Sequence, residues 1–311
     1  MKNKTLIGVT SRSFSANSAL RKTLLERYEN VKFNDAGERL SGKSLVDFLA
    51  GCEKAITALE PINEETLSQL PDLKVLSKYG VGIDMIDLSA LKKHGVRFGW
   101  TKGVNKRAVS ELALTFAITL LRKIDQSTRD VKAGVWTQTQ GRLLSGKTVG
   151  VIGCGNIGQD LIKLLVPFGC NVLAYDIEND EEFYSKHQVT ATHLDTLLQE
   201  SDVVTLHVPL DETTRNMISS DELSMMKEGS ILLNTARGGV VDEVALLAAL
   251  KDKSIGAAGF DVLCVEPPVD NPLVALDNFY ITSHIGGGAT EAILAMGMAA
   301  IDGLDNNNLL D

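Results

Sequence analysis

Cysteine is scarce and scattered in this chain. Cys52, Cys154, Cys170 and Cys264 lie far apart with no C-x-x-C pair, a pattern that gives neither a zinc site nor a disulfide framework. No metal is expected, and unpaired thiols fit a reducing cytoplasm. Long apolar runs are missing too. The stretch Leu112–Leu121 is interrupted by Thr115 and Thr119 and falls far short of the ~20 residues that a bilayer span needs. The start, Met1-Lys2-Asn3-Lys4, passes directly into TLIGVT without the apolar stretch of a secretory leader. Positive charge is in deficit: 31 lysines and arginines face 40 acidic side chains, for a formal net charge of −9. That balance excludes a chain built to coat nucleic acid or an anionic membrane, although a local cluster of cations can still hold an anionic substrate.

What is present is the ordinary alternation of an α/β protein, with 44% hydrophobic and 23% charged residues over a length that suits two domains. From Thr5 to Trp100 the β-branched runs TLIGVT, VKFN, AITAL, KVLSKYG and VRFGW alternate with amphipathic segments, which reads as a small parallel α/β unit. One long helix is expected from about Lys106 through Ala133, ended by Gly134. From Lys147 six strand-like runs follow, KTVGVIG, NVLAYD, DVVTLHV, SILLNTA, AAGFDV and FYITSH, separated by helical crossovers. This is the pattern of a doubly wound parallel sheet. An apolar-rich helix from Gly288 to Leu304 is expected to fold back onto the first domain.

The run VGVIGCGNIG supplies G-x-G-x-x-G as Gly153, Gly155 and Gly158, with Asn156 and Ile157 between, where a strand turns into a helix. The first glycine permits the tight turn, the second leaves no side chain between backbone and pyrophosphate, and the third lets helix and strand approach. Glycines alone also serve plain turns. Here, however, the next strand ends in Asp176, at the spacing of the acid that bonds the ribose hydroxyls of NAD. Ile177, Glu178, Asn179 and Asp180 follow it with no cation for a 2′-phosphate. The cofactor read from this segment is NAD.

Arg237, Glu266 and His284 stand after three later strand-like segments, where open α/β sheets place their ligands. Each has a bland reading as a cap, a loop charge or a satisfied loop histidine. Together they are what hydride transfer to a keto acid requires: a permanently charged planar fork for the carboxylate, an imidazole to protonate the forming alkoxide, and a carboxylate to orient the ring.

LLNTARGGVVDEVALLAAL, AAGFDVLCVEPP and ITSHIGGGATEA resemble the signature segments of the D-2-hydroxyacid dehydrogenase family, and the resemblance runs from KYGVGID through the final helix. It implies His284 as acid/base, Glu266 as its partner and Arg237 as substrate anchor. It further implies Asp261 on the nicotinamide carboxamide, with His207, Val208, Pro209, Thr213, Thr235, Ala236, Gly286 and Gly287 along the cofactor. By the same resemblance the formate dehydrogenase branch carries glutamine where Glu266 stands, which favours a hydroxy acid enzyme. The implied fold is a doubly wound Rossmann-type NAD domain, residues 102–286, inserted into a smaller flavodoxin-like α/β substrate domain made of residues 1–101 and 287–311. A homodimer through the region of the interdomain helix is implied as well. The family also includes a transcriptional corepressor that kept the fold, so a nucleotide-sensing binding protein is the rival reading.

Within the family the chain most resembles the D-3-phosphoglycerate dehydrogenase branch, in a short form without a regulatory domain. Tyr79, Gly80, Val81 and Gly82 would present backbone N–H groups to the substrate carboxylate, and Lys78, Asn105 and Arg107 would supply charge and hydrogen bonds for a phosphate, with Lys102 and Lys106 nearby. One departure stands out: where that branch usually carries an arginine after the third strand, this chain reads AITALEPIN. The alternative substrate is an unphosphorylated acid such as hydroxypyruvate or glyoxylate.

Overall fold

The computed structural model describes residues 2–310. Its contacts divide the chain into two units, one running to Asn105 and resuming at Ala289, the other comprising Lys106–Gly288. The sequence reading put these joints at 101/102 and 286/287.

The smaller unit holds five parallel strands, β1 (Ile7–Val9), β2 (Val31–Phe33), β3 (Lys54–Thr57), β4 (Val75–Lys78) and β5 (Arg97–Gly99), in the order β2-β1-β3-β4-β5. β1 and β4 are buried throughout, as strands covered on both faces must be, and so read as continuous apolar runs without alternation. Two clusters flank the sheet, one around Leu45, Leu49, Leu76 and Leu91, the other around Phe14, Leu20, Tyr28 and Ile301. The second includes residues of the helix Thr290–Gly303, which lies on β4 and β5. Its approach is close: Ser77 Oγ donates to Ala300 O at 2.7 Å, and a Cβ on Gly99 would stand 2.2 Å from Gly303 O.

The larger unit holds seven parallel strands, β6 (Thr148–Ile152), β7 (Asn171–Tyr175), β8 (Val189–Ala191), β9 (Val203–Leu206), β10 (Ile231–Asn234), β11 (Ala257–Phe260) and β12 (Phe279–Ile281). Their order is β12-β11-β10-β9-β6-β7-β8. β6 pairs with both β7 and β9, so the connections diverge at its carboxyl end, the place where doubly wound sheets bind ligands. β8 escaped the sequence reading because it is a three-residue edge strand with no buried position, and without a covered face it has no apolar pattern to show. The expected long helix is two. Lys106–Arg122 buries Val109, Ala113, Phe116, Ala117 and Leu121, an i, i+4, i+7 stripe, whereas Ile124–Lys132 buries nothing and begins after Lys123 in the left-handed conformation (φ 52°). The break falls where the apolar stripe ends.

Candidate active site

The loop after β6 is shaped by its glycines. Gly153 has φ 91°, and a Cβ there would stand 2.7 Å from the backbone of His207. On Gly158 it would stand 2.1 Å from Gly153 O, while around Gly155 there is open space. Gly155 is also the N-cap of the helix Asn156–Leu165 and provides no side chain to its first turn, so those N–H groups face an approaching anion at the positive end of the dipole. Asp176, just past β7, receives Cys154 N–H on Oδ2 and Glu178 N–H on Oδ1, which holds its carboxylate beside the same loop.

Past β9, His207 Nε2 meets Thr205 Oγ1 at 3.0 Å, and its Nδ1 is buried without a partner. Burial pushes its pKa down to about 4, so the ring is neutral near pH 7. Thr235 Oγ1, past β10, is likewise buried and unpartnered. Buried polar atoms rarely remain unsatisfied in a working protein. Two such atoms at strand ends next to an open glycine loop fit a nucleotide that supplies the missing bonds. Val208 and Pro209 continue from His207, whereas Thr213 is turned onto Asp211, its Oγ1 2.6 Å from Oδ1.

The three candidate residues Arg237, Glu266 and His284 follow β10, β11 and β12, adjacent strands of the sheet. Asn234, buried at the end of β10, bends the next turn: its Oδ1 accepts Ala236 N–H at 3.0 Å and its Nδ2 donates to Arg237 O at 2.9 Å. Arg237 Nη1 in turn donates to Ala236 O. Glu266 Oε1 accepts Leu263 N–H at 3.0 Å, and its Oε2 lies 2.8 Å from His284 Nδ1. The carboxylate thus fixes Nδ1 and leaves Nε2 as the ring's other working atom. His284 itself has φ 56°, and the carboxylate of Asp261 accepts Thr282 Oγ1–H, Ile285 N–H and Gly286 N–H around it. Gly287 closes the same turn before Gly288.

The residues expected on substrate are placed less simply. Lys78, buried at the end of β4, donates from Nζ to Ala58 O at 2.7 Å and to Tyr79 O at 3.0 Å. Tyr79 packs its ring edge-on against Phe14, Gly80 has φ 114°, and Val81 O accepts Trp100 Nε1–H at 3.0 Å. Gly82 is half-buried, and Asn105 Oδ1 is buried without a partner. Arg107 is committed elsewhere: Nε and Nη2 each lie 3.0 Å from the carboxylate of the nearly buried Asp160. A buried carboxylate is costly without a cation, and this one takes the fork that was expected on substrate.

Sequence reasoning missed Asn234, Glu243 and Glu60. Glu243 accepts Cys264 N–H and Asn271 Nδ2–H and so steadies the loop that carries Glu266. Glu60 Oε2 accepts Thr10 Oγ1–H and Thr57 Oγ1–H at 2.9 Å and Ala58 N–H at 2.7 Å. An acid three residues past the strand Lys54–Thr57 was the available signal.

A family model described as the D-isomer specific 2-hydroxyacid dehydrogenase NAD binding domain matches residues 114–286. The chain is 39% identical over 236 residues to a hydroxypyruvate reductase of Thermotoga maritima, covering 74% of this chain and 76% of that one. It is also 39% identical over 248 residues to a D-3-phosphoglycerate dehydrogenase of Archaeoglobus fulgidus, covering 79% of this chain and 47% of that one. Among solved structures, a D-lactate dehydrogenase of Aquifex aeolicus complexed with NAD and lactic acid superposes with a TM-score of 0.83 at 28% identity, over 96% and 95% of the two chains.

Proposed function

The chain belongs to the D-isomer specific 2-hydroxyacid dehydrogenase family, and from that premise we propose that it reduces a short, unphosphorylated 2-keto acid such as hydroxypyruvate or glyoxylate, using NADH. The observation that carries the chemistry is the 2.8 Å pair of His284 Nδ1 and Glu266 Oε2 on the strand edge that also carries Arg237. When bound, NAD supplies or takes the hydride at the 2-position. The residues do the rest. Arg237 holds the substrate carboxylate with its fork and polarises the neighbouring carbonyl. His284, oriented through Nδ1, gives a proton from Nε2 to the substrate oxygen in reduction and takes it back in oxidation.

The preference for an unphosphorylated acid rests on two side chains. Arg107 is paired with Asp160, and Glu60, in the loop after the third strand that lacks the arginine usual in the phosphoglycerate branch, is locked by three donors. Phosphohydroxypyruvate is the second reading, favoured by the identity to the Archaeoglobus enzyme. A panel of keto acids with NADH separates them: hydroxypyruvate or glyoxylate should exceed phosphohydroxypyruvate by about tenfold or more in kcat/KM. The reverse order overturns the substrate, and no turnover with any keto acid despite NADH binding points to a nucleotide-sensing protein.

A homodimer and a cytoplasmic location are part of the same reading. Ile124, Val131, Val135, Trp136 and Leu143 expose apolar surface on and beyond the helix Ile124–Lys132, a concentration that supports an interface. The four cysteines are unpaired, and among the described residues no helix is long and apolar enough to cross a membrane.

A further inference from the structure

His284 occupies a backbone conformation that a histidine does not choose for itself. Its φ of 56° lies in the left-handed region, and the turn's own bond, Gly288 N–H to Ile285 O at 2.6 Å, begins after the histidine. The restraint comes from Asp261, 2% exposed and one residue past β11. Asp261 N–H donates to Asn234 O at 2.9 Å, so its carboxylate projects from the last rung of the sheet. Oδ1 accepts Thr282 Oγ1–H at 2.5 Å and Ile285 N–H at 2.7 Å, and Oδ2 accepts Gly286 N–H at 2.7 Å. The three donors bracket His284 in sequence, two residues before it and one and two after. Charge-assisted bonds to a buried carboxylate are the strong kind, and backbone in a sparsely populated region persists only where its surroundings over-determine it.

We propose that Asp261 is a positioning residue for the proton donor: its carboxylate holds the turn 282–286 in the left-handed arrangement that brings His284 Nδ1 onto Glu266. This goes beyond the carboxamide contact that the family resemblance implies for the same side chain, and it rests on the reading of His284 as the acid. An ionised carboxylate has about four acceptor directions. Three are filled by the turn, so one remains for a ligand and the two roles coexist.

Thr282→Val tests the positioning role without touching the carboxylate or any proposed cofactor contact. It removes one of the three bonds. The single-turnover rate of keto acid reduction at saturating NADH should fall about tenfold, with NADH dissociation measured by fluorescence unchanged, and Thr282→Ser should restore the rate. Asp261→Asn places an amide donor against backbone N–H groups. Its rate should fall about a hundredfold, the scale of a ~1 Å misplacement, while KM for the keto acid moves much less. Wild-type rates in Thr282→Val, or an Asp261→Asn whose only defect is weaker NADH binding, overturn the proposal. Should Asp261→Asn not fold, Thr282→Val and its serine rescue decide alone. His284→Ala, measured in parallel, keeps the two claims distinct: if it retains the full rate, the assigned acid is wrong, whereas its loss with Thr282→Val unaffected condemns the positioning role only.

Discussion

The carboxyl edges of the two parallel sheets dispose of their polar groups in opposite ways. In the larger unit the edge keeps unfinished business: His207 Nδ1 and Thr235 Oγ1 are buried without partners, Gly155 faces open space, and His284 is held at a positive φ. In the smaller unit the charged groups at the strand ends are turned inward on the fold. Glu60 takes three donors, and Lys78 gives its ammonium to two carbonyls. Unmet valences beside a constrained backbone and an open glycine loop are what a bound ligand can complete. An edge that satisfies its own charges shapes a surface and selects what fits it. Under the function proposed above, the chemistry would fall to the larger unit's edge and selection to the smaller unit's.

The largest effect that would break this division comes from His284→Ala. Loss of a general acid costs ~10²–10⁴ in rate, and stopped-flow reduction of a good keto acid should fall by that much with NADH affinity unchanged. Arg237→Ala should come next, raising KM because the fork holds the substrate carboxylate and lowering kcat because its polarisation of the carbonyl is stronger in the transition state than in the ground state. If it raises KM alone, Arg237 only binds. The exposed apolar residues around Trp136 give a separate check on the larger unit: if the proposed homodimer forms there, Trp136→Glu should convert it to monomer in light scattering, and an unchanged mass places the interface elsewhere.

The glycine loop was legible in the sequence because each glycine answers a local steric demand, and Asp176 because a strand end fixes its distance along the chain. Arg237, Glu266 and His284 were legible only as a set on successive strand ends. What was not legible is tertiary. Nothing near Arg107 announces Asp160, 53 residues away, and nothing in ITSHIGGG announces a left-handed histidine, since the bonds that impose it come from Asp261. The break at Lys123 and the edge strand β8 were lost for a plainer reason: neither buries a face, and periodicity reports only faces that are buried.

A pH-dependent effect of intermediate size tests the claim that the larger edge carries unmet cost. His207 has its pKa lowered to about 4 by burial, against 6.5 ordinarily. Between these values the unfolded chain binds a proton that the folded one refuses, so this contribution is fully present above about pH 6.5 and is lost as pH falls toward 4. The expected loss is about 3 kcal/mol, at 1.36 kcal/mol per unit. Carboxylates also titrate there, so the measurement is the difference between wild type and His207→Gln in urea unfolding across that range. Equal slopes in the two proteins would mean that the ring is not the source.

The smallest effect sharpens the other side of the comparison. Glu60→Leu keeps most of the volume and strands the half-buried Ala58 N–H beside two buried threonine hydroxyls that also lose their shared acceptor. Leaving such donors unmet costs about 1–3 kcal/mol, and the thermal midpoint should fall accordingly. Thr10 Oγ1 also lies 3.1 Å from Ile56 O, which lets that hydroxyl keep one partner and sets the expectation toward the lower end. If the smaller edge only selects, the single-turnover rate on glyoxylate at saturation should stay within about twofold of wild type, while the ranking of keto acids by kcat/KM changes. A rate loss approaching that of His284→Ala would instead put Glu60 in the chemistry and erase the division between the two edges.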